Sequence, residues 1–166
     1  MTCLPEAAEA VGIEPRMFRR VMGHFLTGVA VVSTMDDDEP VGLTVGSFFS
    51  VSLDPPLVGF CAARTSNTWP IIKRAQRFCV NVLAADQEGV SRNFASTGPN
   101  KFDGLDWVMS EGGSPRLDNV LAWIDCEVEV VHDAGDHEIC IGRVLGLGDG
   151  RLWPPLPFFR GRHEIP

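Results

Sequence analysis

One early segment of the chain has apolar residues at helical spacing. Pro15 opens this segment, since proline is well tolerated in the first turn of a helix. Arginines fill positions between the apolar ones, so we expect an amphipathic helix that packs on a core and ends at Thr27 and Gly28. Residues 1–13 lack such a period and are expected to form an N-terminal arm. The apolar positions are Met17, Phe18, Val21, Met22, Phe25 and Leu26.

Short apolar runs rich in β-branched or aromatic residues predict strands. The β-branched run at 29–35 indicates a buried strand, and residues 57–63 and 77–83 are expected to form two further short strands. The acidic stretch 36–40 between strands is expected to be a solvated hairpin tip, since no distant ligand set joins it to make a metal site.

A second hairpin is predicted in the last third of the chain. Residues 121–131 alternate between apolar and acidic side chains, which places Val130 on the core face and Asp125 on the solvent face. Gly135 and Asp136 then form the turn before a partner strand at 137–147.

The remaining predicted elements are short, and strands and helices do not alternate regularly along the chain. Helices are expected after Thr68 and at 86–94, a brief strand at 107–109 and a turn at 115–119. Several strands with two or three helices and no parallel crossover predict a mostly antiparallel barrel with helices packed outside, as one domain over residues 14–166.

Charge and segment composition narrow the class of protein. The net charge of −8 over 166 residues, without a lysine and arginine stripe, argues against binding nucleic acid. The N-terminus lacks the basic start and apolar run of a signal peptide, and nowhere do about 18 apolar residues follow one another. We therefore expect a cytoplasmic protein with no membrane segment.

The cysteines indicate neither a disulfide framework nor a zinc site. Their number is odd and no two form a CxxC pair, so reduced thiols in the core are expected and no metal is predicted. The five are Cys3, Cys61, Cys79, Cys126 and Cys140.

Residues 41–56 are predicted to form a ligand-binding segment, which we call the cradle. Small hydroxyl residues supply donors and acceptors there, while Gly42 and Gly46 let the backbone approach a bound phosphate or flat polar ring. The alternative is an ordinary strand and turn closed by Pro55 and Pro56. The hydroxyl residues are Thr44, Ser47, Ser50 and Ser52.

Other polar residues leave two interpretations open. Ser66 caps the predicted helix, or that helix start holds an anion together with Arg64 and Thr68. Lys101, in the turn-rich loop 96–104, is either a phosphate partner or a solvated side chain. His24, beside the first helix, is expected to be a packing residue.

Five stretches in order resemble the short-chain flavin reductase family, the NAD(P)H:flavin oxidoreductases that supply reduced flavin to two-component monooxygenases. They are TGVAVVST at 27–34, GLTVGSFFSVSLDPPLV at 42–58, RFCVNVLAADQ at 77–87, AGDHEICIGRV at 134–144 and PLPFFRGR at 155–162. The resemblance implies a six-stranded antiparallel Greek-key FMN-binding split barrel. It also implies a homodimer with the flavin near the subunit interface and a monooxygenase that receives the reduced flavin.

The resemblance also assigns roles to residues. His137 matches the histidine associated with the nicotinamide of NADH or NADPH; from the residues alone it would cap a hairpin or project over a groove. Gly46 and His163 depart from residues common in relatives. The positions matched to FMN or FAD binding are Thr44, Val45, Gly46, Ser47, Phe48, Ser50, Cys61, Arg64, Ser66, Thr68, Phe94, Lys101, Phe159 and Arg160.

The chemistry expected of such a site is hydride transfer from nicotinamide to flavin. The two cofactors undergo the reaction, and the protein binds and orients them. No GxGxxG follows a strand, so the nicotinamide would lie in a groove on bound flavin. Three rival classes are a non-enzymatic flavin-binding or electron-transfer protein, an FMN-dependent split-barrel oxidase, and a dimerisation domain without a ligand.

Overall fold

The computed structural model describes residues 12–164, which are organised mainly as antiparallel strands. The expected N-terminal arm at 1–13 lies almost wholly outside the described residues. The helices are α1 Pro15–Met22, α2 Trp69–Ala75 and α3 Glu88–Ala95, the last preceded by a 3-10 turn at Ala85–Gln87. The strands are β1 Thr27–Gly28, β2 Ala30–Asp36, β3 Glu39–Val45, β4 Phe49–Ser52, β5 Leu57–Ala63, β6 Arg77–Val82, β7 Trp107–Met109, β8 Pro115–Leu117, β9 Ala122–Ala134, β10 His137–Asp149 and β11 Pro157–Phe158.

One large sheet carries the fold, with the strand order β3-β2-β6-β9-β10-β5-β4 and every neighbouring pair antiparallel. β3 and β4 lie at opposite ends of this order, yet only residues 46–48 separate them in the chain. The sheet therefore curls until its two edges approach each other, which leaves a barrel that is open at one seam. The expected antiparallel barrel is confirmed, and its sheet contains seven strands because the short β4 pairs with β5.

Aromatic side chains fill the barrel interior. The Phe60 ring packs edge-on against Trp69 and Phe78, with centroid distances of 5.7 and 5.4 Å. Gly142 on β10 faces Phe78, and a Cβ at that position would lie 2.5 Å from the Phe78 ring. β10 thus needs glycine where it crosses the Phe78 ring.

The first helix departs from its prediction. α1 ends at Met22 with Gly23 at its cap, and none of its residues is buried. Residues 27 and 28, expected to end the helix, instead form β1, which pairs with β11. The expectation that α1 packs on a core is wrong for the single chain, because this chain leaves its apolar side uncovered.

Two further expectations are corrected by strand pairing. The predicted turn at 115–119 begins with β8, which pairs with β7. On β9, the alternation fails at Val130 because the register against β10 shifts between Val130 and Val128, whereas Asp125 is buried because residues 110–112 cover it. Val130 is exposed, and the Asp125 carboxylate is buried, where it accepts hydrogen bonds from the Ser110 hydroxyl at 2.7 Å and the Gly112 N–H at 3.1 Å.

The four cysteines within the described residues are free thiols, and Cys79, Cys126 and Cys140 are buried as expected. Burial raises the pKa of Cys126 and Cys140 to about 12. Among residues 12–164 no helix is long and apolar enough to cross a membrane.

Candidate functional site

A cavity of about 1400 Å³ opens between the seam of the barrel and the N-terminal helix. Its floor comes from the end of β3, the connection 46–48 and the end of β5. Residues 65–68 before α2, the loop 96–98 after α3, the α1 segment and the C-terminal residues Phe158 and Gly161 form its walls. A single small ligand usually needs about 300 to 1000 Å³, so this cavity has room for more than one ring system.

The hydroxyls of the predicted cradle are partly engaged by the protein itself. Thr44 Oγ1 donates to the Ser91 carbonyl at 2.7 Å, and Ser47 Oγ donates to the Cys61 carbonyl at 3.2 Å while accepting from the Cys61 N–H at 2.9 Å. A hydroxyl has one proton and two lone pairs, so both side chains present an acceptor rather than a donor to a ligand.

The start of α2 contributes the complementary donors. Ser66 Oγ accepts from the Trp69 N–H at 3.2 Å, which confirms the expected capping contact and leaves the Ser66 proton available to a ligand. Thr65 and Asn67 are exposed beside it and line the same wall. Thr68 is buried, and its hydroxyl donates to the Gly42 carbonyl at 3.4 Å.

Lys101 brings a positive charge to the other wall. Its ammonium donates to the Phe94 carbonyl at 3.0 Å and the Gly42 carbonyl at 3.5 Å, so it is held near the cavity rather than freely solvated. Desolvation lowers the pKa of Lys101. A bound anion would offset this desolvation, which suits the residue to a phosphate group.

His137 reaches the cavity from the first position of β10. Its Nδ1 lies 2.7 Å from the Asp136 carboxylate, and this contact lowers the pKa of Asp136. An ionised carboxylate only accepts hydrogen bonds, so Nδ1 carries the proton and Nε2 is left to face a ligand.

The structure brings most of the predicted site residues together. Ser50, on β4, is exposed and outside the cavity lining, and Arg64 turns towards the β9–β10 turn. Phe159 and Arg160 also lie outside the lining, where Arg160 Nη2 is 2.6 Å from His24 Nε2 and the Phe159 ring packs edge-on to His24. The residues that do line it are Thr44, Val45, Gly46, Ser47, Phe48, Cys61, Ser66, Thr68, Phe94, Lys101 and His137.

Sequence reasoning missed the contribution of the N-terminal segment. Phe18, Met22, Phe25 and Leu26 line the cavity together with Arg19, although the apolar spacing of this segment had indicated a helix packed on the core. A periodic pattern identifies the apolar side of a helix but not what that side contacts. No sequence signal separated these positions from ordinary core residues.

The chemistry of the lining fits a flavin. Val45, Phe48 and Ala62 offer an apolar surface for a flat ring, and the donors at 65–67 and the ammonium of Lys101 suit a polar tail with a phosphate. An antiparallel barrel with an open seam and this lining defines a split-barrel protein of the flavin-binding class.

Comparison with known proteins places the chain in a family. The model of the flavin reductase like domain matches residues 22–164, and the chain belongs to this family. It is 49% identical over 157 residues to the reductase subunit of a flavin-dependent monooxygenase from Rhodococcus jostii, a match covering 95% of this chain and 80% of the relative. It is 44% identical over 150 residues to an FMN reductase (NADH) from Agrobacterium fabrum, covering 90% and 85%.

A solved structure extends the likeness to the fold. The NADH:FAD oxidoreductase of Streptomyces globisporus, in complex with NAD and FAD fragments, superposes with a TM-score of 0.86 at 37% identity, covering 93% of this chain and 94% of that one. The expected split-barrel fold, the flavin reductase activity and the use of flavin with a nicotinamide are thereby confirmed.

Proposed function

We propose that this flavin reductase takes its hydride from NADH and releases reduced flavin to a separate monooxygenase. The observation that carries the proposal is that one cavity is lined by the hydroxyl segment 44–48, the helix start 65–68 and His137. NADH as the donor is supported by the names of the Agrobacterium fabrum and Streptomyces globisporus relatives. The bound flavin supplies the acceptor for the hydride.

Different residues of the chain would bind different parts of the flavin and the nicotinamide. Val45 and Phe48 would support the ring system, while Ser66 would donate to the polar part of the flavin. Lys101 would hold a phosphate. His137, fixed through Nδ1 by Asp136, would contact the nicotinamide through Nε2 and position it on the flavin without moving a proton.

The residues that line the cavity favour a flavin that binds and dissociates in each turnover. The cavity has few cations, and the hydroxyls of Thr44 and Ser47 already donate to the backbone. Weak fixed contacts favour a flavin that enters as a substrate and leaves reduced. The reductase subunit in Rhodococcus jostii supports a flavin-dependent monooxygenase as the recipient, and the free thiols support a cytoplasmic location.

A homodimer completes the proposal. The apolar residues of α1, together with Phe25 and Leu26 after it, are 48% to 73% exposed, which is unusual for an amphipathic helix. The same segment forms a cavity wall, so a second copy covering it would also enclose the flavin.

The test follows consumption of NADH or NADPH with FMN, FAD or riboflavin present above the protein concentration. We expect many turnovers with NADH, and activity that saturates with flavin. A flavin that stays bound and turns over once would contradict the substrate role. Flavin binding without oxidation of either nicotinamide would identify a non-enzymatic flavoprotein.

A further inference from the structure

The Arg64 side chain reaches three acceptors on one hairpin. Its Nε donates to the Gly135 carbonyl at 3.0 Å, one Nη to Asp133 at 2.5 Å and the other Nη to Glu138 at 3.2 Å. The Arg64 backbone N–H donates to the Asp136 carbonyl at 3.0 Å. These four partners flank His137 on both sides in the chain, and His137 itself pairs with Ala63 across the strands.

Glu138 extends this connection to α2. It is 9% exposed, and its carboxylate accepts from Arg64, from the Lys73 ammonium at 2.7 Å and from the indole N–H of the buried Trp69. These contacts lower the pKa of Glu138, so the carboxylate stays ionised. One buried carboxylate therefore joins the end of β5, the start of β10 and the helix that follows residues 65–68.

We propose that Arg64 and Glu138 are positioning residues that fix the imidazole of His137 relative to the start of α2. Arg64 then acts on the nicotinamide through the hairpin and not by holding a phosphate, which agrees with its place outside the cavity lining. The planar fork of arginine suits this role, because lysine cannot reach three acceptors in fixed directions. The kinetic part of this inference rests on the proposed contact between His137 and the nicotinamide.

The first test measures the His137 ring in the protein without cofactors. The chain has four histidines, and the signal of His137 in a spectrum of histidine-labelled protein is assigned by its loss in His137→Ala. We expect Arg64→Lys and Glu138→Gln to shift or broaden that signal. The control is Arg143→Met, which removes an arginine of similar exposure that pairs with Glu129 between β9 and β10, and it should leave the signal unchanged. An unchanged His137 signal in Arg64→Lys overturns the proposal.

The second test is a double-mutant cycle on NADH kinetics. We expect Arg64→Lys to raise the KM for NADH by roughly fivefold, with the flavin Kd within about twofold, and to add almost nothing in the His137→Ala background because the two act as one unit. Additive effects, or an equal loss of flavin binding, overturn the proposal and return Arg64 to the flavin site. If the His137 signal moves but His137→Ala leaves NADH kinetics unchanged, the positioning stands and the proposed nicotinamide contact fails.

Discussion

The hydroxyl of Ser47 holds both backbone polar groups of Cys61, accepting from its N–H at 2.9 Å and donating to its carbonyl at 3.2 Å. This pair of contacts joins the connection 46–48 to β5 at the open seam, where β3 and β4 have no ladder between them. One side chain thus substitutes for strand pairing at the floor of the cavity.

Ser47→Ala should therefore weaken both the fold and the flavin site. Loss of the hydroxyl leaves two backbone groups of Cys61 unpaired, at a cost of about 1 to 2 kcal/mol in the free energy of unfolding. We expect the flavin Kd to rise by roughly fivefold, about 1 kcal/mol. Urea unfolding and fluorescence titration measure the two effects. Ser50→Ala is the control, since that exposed hydroxyl has no hydrogen-bond partner among residues 12–164, and its unfolding free energy should change by less than about 0.5 kcal/mol.

His137→Ala should raise the KM for NADH or lower kcat/KM by roughly tenfold, about 1.4 kcal/mol, because the ring that we propose positions the nicotinamide is lost. Flavin affinity should stay within about a factor of three. Steady-state kinetics and flavin titration are made on the same preparation, with His132→Ala, an exposed histidine of the same hairpin, as the control. Unchanged NADH kinetics would return His137 to a purely structural role in the turn.

Val21→Glu should separate the proposed dimer into single chains. Val21 is 54% exposed on α1 and does not line the cavity, so the variant places a charge on the apolar side without touching the flavin lining. Light scattering should give twice 18.1 kDa for the wild type and 18.1 kDa for the variant. Arg16→Glu, which adds negative charge to the same helix at a polar position, should remain a dimer. A wild-type mass of one chain would refute the dimer directly.

Stability should fall in alkaline solution because of the buried thiols. In the unfolded chain a cysteine loses its proton near its ordinary pKa of about 8.5, whereas burial keeps Cys126 and Cys140 protonated in the fold until about 12. Above the ordinary value the folded state binds more protons, so the free energy of unfolding decreases by up to about 1.4 kcal/mol per pH unit for each thiol.

The measurement is urea unfolding at several pH values. Cys140→Ala should reduce the slope against pH, while Val58→Ala, a core truncation without a thiol, should lower stability and keep the slope. Comparing variants also removes the opposite contribution of Lys101, whose lowered pKa makes stability rise with pH. Equal slopes in wild type and Cys140→Ala would show that this thiol does not couple to folding.

Individual strands were predictable where the hydrophobic pattern of their own residues determines them. β5 lies at 57–63 as expected, because a run of small and aromatic apolar residues between turns has few alternatives to a buried strand. β1 and β8 could not be found in the same way, since each is only two or three residues long and is defined by a partner rather than by its own sequence. Pro115 indicated a turn, although proline is tolerated at the first residue of an edge strand.

The site was predictable from the resemblance more than from the residues. Of the hydroxyl residues in segment 41–56, Thr44 and Ser47 lie on the cavity floor, whereas Ser50 and Ser52 do not line the cavity. The pattern also did not reveal that Thr44 and Ser47 would donate to the backbone. Arg64 matched a site position and lies beside it, because a guanidinium engages whichever acceptors the folded hairpin presents. Those acceptors are about seventy positions away in the chain, which no local pattern reveals.

The strand order also determines when the cavity can exist during synthesis of the chain. β5 is synthesised early but pairs with β10. The edge of β5 that faces β10 therefore stays unpaired while α2, β6, α3 and the long β9 are synthesised. Until then a nascent chain presents an unpaired strand edge, the kind of surface on which chaperones act. Because His137 at the start of β10 lines the cavity, the complete cavity exists only after β10 has been synthesised.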